Sequence, residues 1–150
     1  MPRNLAALVI GNAAYAQVDQ LQNPVNDATD MAARLVTLGF TVQLLADATT
    51  EEMDRALIAF GEVLATSDLG LFFFAGHAFQ IDGINFLAGV DTKASDPMAV
   101  KYSALHLDRV VDVMKWAPSV SERASIVILD ACRRGATFHL NLPSVILRHR

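Results

Sequence analysis

Short, nearly unbroken apolar runs alternate along this chain with longer segments in which apolar residues recur every three or four positions. An unbroken run is typical of a strand that is buried on both faces, and the recurring pattern is typical of an amphipathic helix. The runs predict strands at Leu5 to Ile10, Thr41 to Leu45, Asp68 to Ala75 and Ser125 to Leu129.

Helices are predicted in the segments between these strands. The first begins at Asn26-Asp27 and ends at Gly39, because Asn and Asp favour a helix start and Gly favours a helix end. Thr50 caps the second helix, and a third helix extends from Leu105 to Trp116.

The order of these elements predicts the fold class. Residues Phe79 to Val90 are predicted to form a hairpin, with its turn at Asp82-Gly83. Strands and helices that otherwise alternate along the chain predict an α/β fold, in which helices cover both faces of a mostly parallel sheet.

Composition narrows the class of protein. With 150 residues, 53% of them apolar and 19% charged, the chain is long enough for one globular domain. The net charge of −4 gives no reason to expect a nucleic-acid partner, and no apolar stretch reaches the roughly 18 residues of a membrane helix. The single cysteine has no partner for an internal disulfide, which favours a reducing cytoplasm.

Two reactive side chains each follow a predicted strand. His77 follows the run that ends at Ala75, and Cys132 follows the run that ends at Leu129. Ligands of open parallel sheets bind beyond the carboxyl ends of the strands, and neighbouring strands lie about 4.8 Å apart. If these two strands are neighbours, His77 can take the proton of the Cys132 thiol, and the thiolate can attack a carbonyl carbon.

Less specific interpretations of the same residues stay open. A lone cysteine is often a small hydrophobic core residue, and a lone histidine after a strand is often an ordinary loop residue. A zinc site is a weaker hypothesis, because the cysteine and the histidines have no ligand spacing. The histidines are His77, His106, His139 and His149.

Four segments stand in the order and spacing of a known family: ALVIGNAAY, LQNPVNDATDMAARLVTLGF, LFFFAGHAFQIDGINFLAGVD and IVILDACR. Through them, residues 4–134 resemble the catalytic large-subunit domain of caspase-like cysteine peptidases. The resemblance is closest to the prokaryotic metacaspase-like proteins (orthocaspases), which are bacterial thiol proteases. It implies a caspase-like sandwich, with residues 1–134 as the catalytic domain and residues 135–150 as an atypical C-terminal tail.

The resemblance also implies roles for individual residues. His77 matches the catalytic histidine, Cys132 matches the nucleophile, and the backbone amides of Ala78 and Cys132 match the oxyanion hole. Asp27 and Asp130 match the acidic positions that bind Arg or Lys, so cleavage is expected after a basic residue. Alternatively, Asp27 is only a helix N-terminal carboxylate and Asp130 only caps the end of a strand.

Three departures from the family pattern favour a second hypothesis, a caspase-fold interaction or regulatory protein with little or no activity. Ala78 stands where the family usually has Gly, and Ala75 stands where metacaspases commonly have Ser. A methyl group at position 78 could crowd the substrate or disfavour a positive φ. The family's small-subunit portion is missing from these 150 residues.

The last residues leave two structural alternatives open. Phe138 to Leu142 and Val145 to Leu147 could form one more strand, broken by Pro143, or a tail that pairs with another chain. A homodimer through an uncovered sheet edge is therefore a hypothesis.

The expected partner is a peptide or protein substrate, with no cofactor, no nucleic acid and no membrane; a need for calcium stays open. A third hypothesis is a doubly wound module that binds a small ligand. It lacks support, because the first strand is followed by neither G-x-G-x-x-G nor a Walker-type lysine.

Overall fold

A computed structural model of the chain describes residues 2–116, 123–134 and 145–149, and it describes residues 132–134 and 145–149 by their backbone alone. The strands of this part of the chain are β1 (Leu5–Gly11), β2 (Phe40–Ala46), β3 (Leu69–Ile81), β4 (Ile84–Leu87), β5 (Leu105–His106), β6 (Ala124–Arg134) and β7 (Val145–His149). The helices are α1 (Pro24–Thr37), α2 (Thr50–Leu64), α3 (Pro97–Ser103) and α4 (Leu107–Lys115).

The strands form one sheet that is mostly parallel, as predicted. β1 lies between β2 and β3, β6 lies against the other edge of β3, and these four strands are parallel. β7 is parallel to β6, whereas β4 is antiparallel to β3 and β5 is antiparallel to β4. The strand predicted at Leu5 to Ile10 is therefore a central strand, and it is buried from Ala6 to Gly11.

Helices cover both faces of the sheet, which confirms the predicted α/β class. α1 packs on one face, whereas α2 and α4 pack on the other. Along β3, Phe73 joins the core under α1 and Phe74 joins the core under α2 and α4. A strand that is covered on both faces needs apolar residues at every position, and this explains the unbroken run in the sequence.

Two strands are longer than predicted, so His77 and Cys132 lie inside strands rather than beyond their ends. β3 continues past Ala75 to Ile81, and β6 continues past Leu129 to Arg134. The ladder between β1 and β3 does end at Ala75, but the ladder between β3 and β6 continues beyond it. In each strand the unbroken apolar run ends before the strand does. The final part of each strand extends beyond the end of β1.

The predictions for α2, α3 and α4 need correction. α2 is capped by Thr49 rather than Thr50, through a capping box with Glu52. The third predicted helix begins at Leu107 rather than Leu105, because Leu105–His106 pairs with β4 as β5. The short helix α3 was not predicted, since its seven residues are too few for a periodic pattern.

The hairpin prediction is confirmed, and the tail forms a strand in the part that the structure describes. Asp82 and Gly83 have φ angles of 53° and 76°, and a two-residue type I′ turn needs two positive values. β7 begins at Val145, as one alternative for the tail predicted, and pairs with β6. The other predicted part of that strand, Phe138 to Leu142, lies outside the described residues.

Arg123 fixes the start of β6 to two helices. Its guanidinium donates to the carbonyl oxygens of Leu64 at 2.7 Å, Met114 at 2.5 Å and Trp116 at 3.1 Å. These carbonyls lie at the C-terminal ends of α2 and α4, where a cation is favourable. Burial lowers the pKa of Arg123, but a guanidinium keeps its charge in proteins. The cation therefore holds β6 in line with both helices.

Candidate active site

α1 begins directly over the carboxyl end of β1. A Cβ atom at Gly11 would collide with the carbonyl oxygen of Pro24 and would lie 2.6 Å from the Cβ of Ala28. A glycine is therefore needed for the first turn of α1 to lie against the strand. The helix begins at Pro24, before the predicted start at Asn26-Asp27, so Asp27 lies in its first turn.

His77 is held at both its ring and its backbone. It is 4% exposed, and its ring Nε2 lies 2.7 Å from the carbonyl oxygen of Asp19. A carbonyl can only accept, so in the neutral ring Nε2 carries the proton and Nδ1 is the nitrogen that can take one up. Tyr15 accepts the backbone N–H of His77 at 2.8 Å, and the two ring centroids are 4.7 Å apart. These contacts fix one tautomer and one ring orientation.

Cys132 and His77 are register partners on neighbouring parallel strands. The condition on which the dyad hypothesis rested, that these two strands are neighbours, is met. Residues in register on adjacent strands lie on the same face of a sheet, about 4.8 Å apart. The two backbone positions are therefore adjacent, and the contact between Sγ and the imidazole stays a prediction.

The backbone N–H of Ala78 lies on the edge of β3 that faces β6. His77 and Ala88 are an opposed pair on the β4 side, where the Ala88 N–H donates to the His77 carbonyl at 3.0 Å. Hydrogen bonding alternates along a strand, so the next residue directs its N–H to the other edge. Ala78 is in register with Arg133 there, inside the β3–β6 ladder. An oxyanion would have to replace a ladder carbonyl as the partner of this N–H.

The backbone of Ala78 does not have a positive φ. The only non-glycine residues with positive φ in the described part of the chain are Asp47 and Asp82. The backbone at position 78 therefore has a conformation that alanine adopts without strain in this chain. The methyl group itself is buried, with 2% of Ala78 exposed.

Asp27 and Asp130 line one cavity of ≈230 Å³ on the α1 side of the sheet. Asp27 comes from the first turn of α1 and Asp130 from β6, and both are half-buried. Asp30 and Arg34 of α1 line the same cavity, so three carboxylates meet one guanidinium there. The cavity therefore carries net negative charge and favours a cationic group.

The structure excludes the alternative role of Asp130 but not that of Asp27. Asp130 lies in the interior of β6, in register with Ala75 of β3 and Arg148 of β7, so it does not cap a strand end. Asp27 does lie at a helix N-terminus, where a carboxylate is favourable in any protein. That position also opens onto the cavity, so both interpretations of Asp27 stay compatible with the structure.

Asn12 joins three segments at the carboxyl edge of the sheet and was not predicted. The residue is fully buried, and its amide nitrogen donates to the carbonyl oxygens of Ala88 at 3.0 Å and Ala48 at 3.2 Å. Its amide oxygen accepts the N–H of Ala48 at 2.8 Å. A polar residue directly after a fully buried strand was the signal that could have identified it.

Asp47 fixes the loop after β1 and was also not predicted. One carboxylate oxygen accepts the backbone N–H groups of Ala13 and Ala14, each at 2.9 Å. This loop continues to Tyr15 and Asp19, the residues that contact His77. Asp47 therefore supports the histidine indirectly.

A larger cavity, of ≈520 Å³, lies between the N-terminal turns of α2 and α4 and contains no predicted site residue. Among the residues that the structure describes, no group of three or more His, Cys, Asp or Glu side chains could hold a metal ion. Within the same residues, every helix is too short or too polar to cross a membrane.

Residues 4–144 match the model of the caspase domain family. Similar curated proteins include mucosa-associated lymphoid tissue lymphoma translocation protein 1 of Homo sapiens and its homolog of Mus musculus, each 28% identical over 143 residues. The match covers 95% of this chain but 17% of the human protein and 16% of the mouse protein. The chain thus spans about a sixth of the length of these relatives.

Proposed function

The chain belongs to the caspase domain family, and we propose that it is a cysteine endopeptidase in which His77 and Cys132 form the catalytic dyad. The observation that carries the proposal is their register on neighbouring strands. Caspase-like proteases act on proteins, so the expected substrate is a peptide bond in a protein or peptide.

The contacts of His77 support the role of general base. The Asp19 carbonyl holds the proton of Nε2, which leaves Nδ1 to accept the proton of the Cys132 thiol. The thiolate then attacks the carbonyl carbon of the scissile bond, and the imidazolium donates its proton to the leaving amine. Water hydrolyses the resulting thioester, with the same imidazole as base, and restores the thiol.

The oxyanion of the tetrahedral intermediate needs N–H donors beside the attacked carbon. The amides of Ala78 and Cys132 are the proposed donors. The Ala78 N–H lies on the edge that faces the strand of Cys132, so it can serve as a donor there once the oxyanion replaces the ladder carbonyl.

Cleavage after Arg or Lys is supported by the acidic cavity. Asp130 precedes Cys132 by two positions on the same strand, so both occupy the same face of the sheet. Asp27 reaches the same cavity from α1. A guanidinium can bind two carboxylates through paired hydrogen bonds, whereas an aspartate side chain would be repelled.

A peptidase assay tests this function. Purified protein is offered peptides with Arg, Lys or Asp before a fluorogenic amide, with Cys132→Ala as the matched control and with or without Ca²⁺. We expect release after Arg and Lys from the wild type alone. Equal background release from both proteins would exclude the peptidase function, and faster release after Asp would exclude the acidic-pocket role of Asp27 and Asp130.

The β3–β6 ladder favours one alternative, a caspase-fold interaction or regulatory protein with little activity. Ala78 lies inside that ladder, so the oxyanion donor is engaged until the strands separate. In this alternative the fold serves to bind a partner, and the wild type behaves like Cys132→Ala in the peptidase assay while remaining folded.

Several finer assignments belong to the same proposal. Residues 1–134 are proposed as the catalytic unit and 135–150 as a tail, and the subtype is proposed to be metacaspase-like, as in bacteria, with a cytoplasmic location. β7 is an edge of the described sheet, and an exposed edge can pair with a second copy. Light scattering after size exclusion tests the proposed homodimer, and a monomeric mass would exclude it.

A further inference from the structure

The Tyr15 hydroxyl stands inside the β-ladder that positions His77. His77 and Ala88 oppose each other, and one half of their hydrogen-bonded pair is present, from the Ala88 N–H to the His77 carbonyl at 3.0 Å. The other half is replaced by the phenol. The His77 N–H donates to the Tyr15 oxygen at 2.8 Å, and the Tyr15 O–H donates to the Ala88 carbonyl at 3.4 Å.

The hydroxyl has no free space to move. Tyr15 is 2% exposed. A Cβ atom at Gly76 would collide with the Tyr15 oxygen and would lie 2.9 Å from the ring of Phe74. Gly76 also has a φ of 156°, which L-residues rarely adopt. Only glycine at position 76 therefore leaves room for the Tyr15 hydroxyl between His77 and Ala88.

The backbone of Tyr15 is fixed independently of His77. The two residues before it donate to the Asp47 carboxylate, and the N–H of Ala16 donates to the Val90 carbonyl at 3.0 Å. The phenol therefore approaches the strand from a rigid loop. Its ring also packs on the imidazole, with ring planes inclined by 54°.

We propose that Tyr15 is a positioning residue for His77, an inference that rests on the proposed dyad. The inserted oxygen lies on the β4 edge and keeps the backbone of His77 away from Ala88, and so towards the strand of Cys132. Without this oxygen, the His77 N–H and the Ala88 carbonyl can pair directly, as in an ordinary antiparallel ladder. That closure draws His77 towards Ala88 and away from the strand of Cys132.

Tyr15→Phe is the direct test, because it keeps the ring and removes only the hydroxyl. The control is Tyr102→Phe, at the chain's other tyrosine, which is 85% exposed. A misplacement of about 1 Å can cost about a hundredfold in rate. We therefore expect Tyr15→Phe to lower kcat for an arginyl substrate at least about tenfold with KM unchanged within about twofold, and Tyr102→Phe to match the wild type.

Alkylation of the single cysteine gives a readout that needs no turnover. The rate of reaction with iodoacetamide is measured against pH for wild type, Tyr15→Phe, Tyr102→Phe and His77→Ala. A free thiol reacts with a midpoint of about pH 8.5, and an adjacent imidazolium lowers that midpoint. We expect the midpoint to rise fully in His77→Ala, partly in Tyr15→Phe and not at all in Tyr102→Phe.

These measurements distinguish failure of the positioning role of Tyr15 from failure of the proposed His77–Cys132 dyad. A wild-type midpoint and a wild-type kcat in Tyr15→Phe, with a raised midpoint in His77→Ala, would overturn the role of Tyr15 and leave the dyad standing. A wild-type midpoint in His77→Ala would overturn the dyad and, with it, the positioning role.

A second measurement keeps the inference testable if Tyr15→Phe does not fold. Incorporation of 3-fluorotyrosine into Tyr102→Phe labels Tyr15 alone. We expect its fluorine resonance to shift with pH as the neighbouring imidazole gains or loses its proton, and this shift to disappear in His77→Ala. A resonance that does not respond to pH in the labelled protein would overturn the inference.

Discussion

The first half of β3, residues 69–75, differs from the second half, residues 76–81, in what holds it. The first half lies between β1 and β6, and regular ladders with strands complete its hydrogen bonding on both edges. The second half has β6 on one edge, but on the other edge a tyrosine hydroxyl interrupts the pairing before β4 continues it. The first half contributes to the core, and the second carries the proposed base.

This difference shows how one strand serves stability and chemistry at once. Phe72, Phe73 and Phe74 fill the cores on both faces of the sheet, so their strand is rigid where it is regular. That rigidity extends to His77, whose backbone is a continuation of the same strand. Substitutions in the first half should therefore act on folding, and substitutions in the second half should act on turnover.

The largest effect is expected from His77→Ala, in the second half. Loss of the base should lower kcat/KM at least about 1,000-fold, with a smaller loss of unfolding free energy than a core substitution causes. The control is His106→Ala, at a half-buried histidine on β5 that packs against Phe86. A His77→Ala enzyme with more than a tenth of wild-type activity would contradict the separation of the two halves.

Phe72→Ala, in the first half, should act in the opposite way. The ring is fully buried in the core under α2 and α4. Its loss should lower the free energy of unfolding by about 3–5 kcal/mol, measured by urea denaturation. Activity per folded molecule, counted by active-site titration, should stay within about twofold. A tenfold loss per folded molecule would show that the halves are not separable.

Gly76→Ala, at the junction of the halves, should affect both quantities. The new methyl group would meet the Tyr15 hydroxyl, so we expect a loss of about 1–3 kcal/mol in stability and at least about tenfold in kcat. Gly61→Ala is the control, because a Cβ atom there comes no closer than 3.4 Å to its neighbour in α4. That helix substitution should leave activity unchanged and stabilise by up to about 1 kcal/mol. Similar effects from both substitutions would contradict the proposed close contact.

Asp130→Asn tests the cavity beside this junction. Removal of one carboxylate should lower kcat/KM for an arginyl substrate about 10- to 100-fold, while the melting temperature changes little. Asp112→Asn, at an exposed position of α4, is the charge-matched control. If Asp130→Asn instead lowers the melting temperature as much as Phe72→Ala does, Asp130 has a structural role.

The smallest effect is expected from Asp30→Asn. Asp30 lines the same cavity from α1, but its side chain is exposed and therefore screened by solvent. We expect kcat/KM for arginyl substrates to fall about two- to threefold and to become less sensitive to salt. An effect as large as that of Asp130→Asn would make Asp30 a primary ligand of the basic side chain.

The sequence allowed the first half of β3 to be predicted but not the second. The unbroken apolar run ends at Ala75, where the ladder with β1 ends, although β3 stays buried as far as Ala78. Beyond that point the strand is held by β4, β6 and Tyr15, and such long-range contacts leave no periodic pattern. For the same reason Thr49 was missed as the cap of α2, since only the fold shows which of two adjacent threonines precedes the helix.

The candidate site was predicted where chemistry and spacing coincide. His77 and Cys132 each follow an apolar run, and this was enough to place both residues at the same edge of the sheet; that their strands are neighbours comes from the structure. Asn12, Tyr15 and Asp47 were missed because their roles depend on backbone groups far along the chain. No local pattern predicts such partners.

The central claim, that His77 activates Cys132 beside an acidic pocket, is tested most directly by covalent labelling. A peptidyl-arginine acyloxymethyl ketone is added, and the thiolate displaces the carboxylate to leave a thioether that mass spectrometry locates. We predict one adduct per chain, on Cys132, formed at least about tenfold more slowly in His77→Ala and by the aspartyl analogue. No adduct on Cys132, or equal rates for the arginyl and aspartyl reagents, would contradict the account.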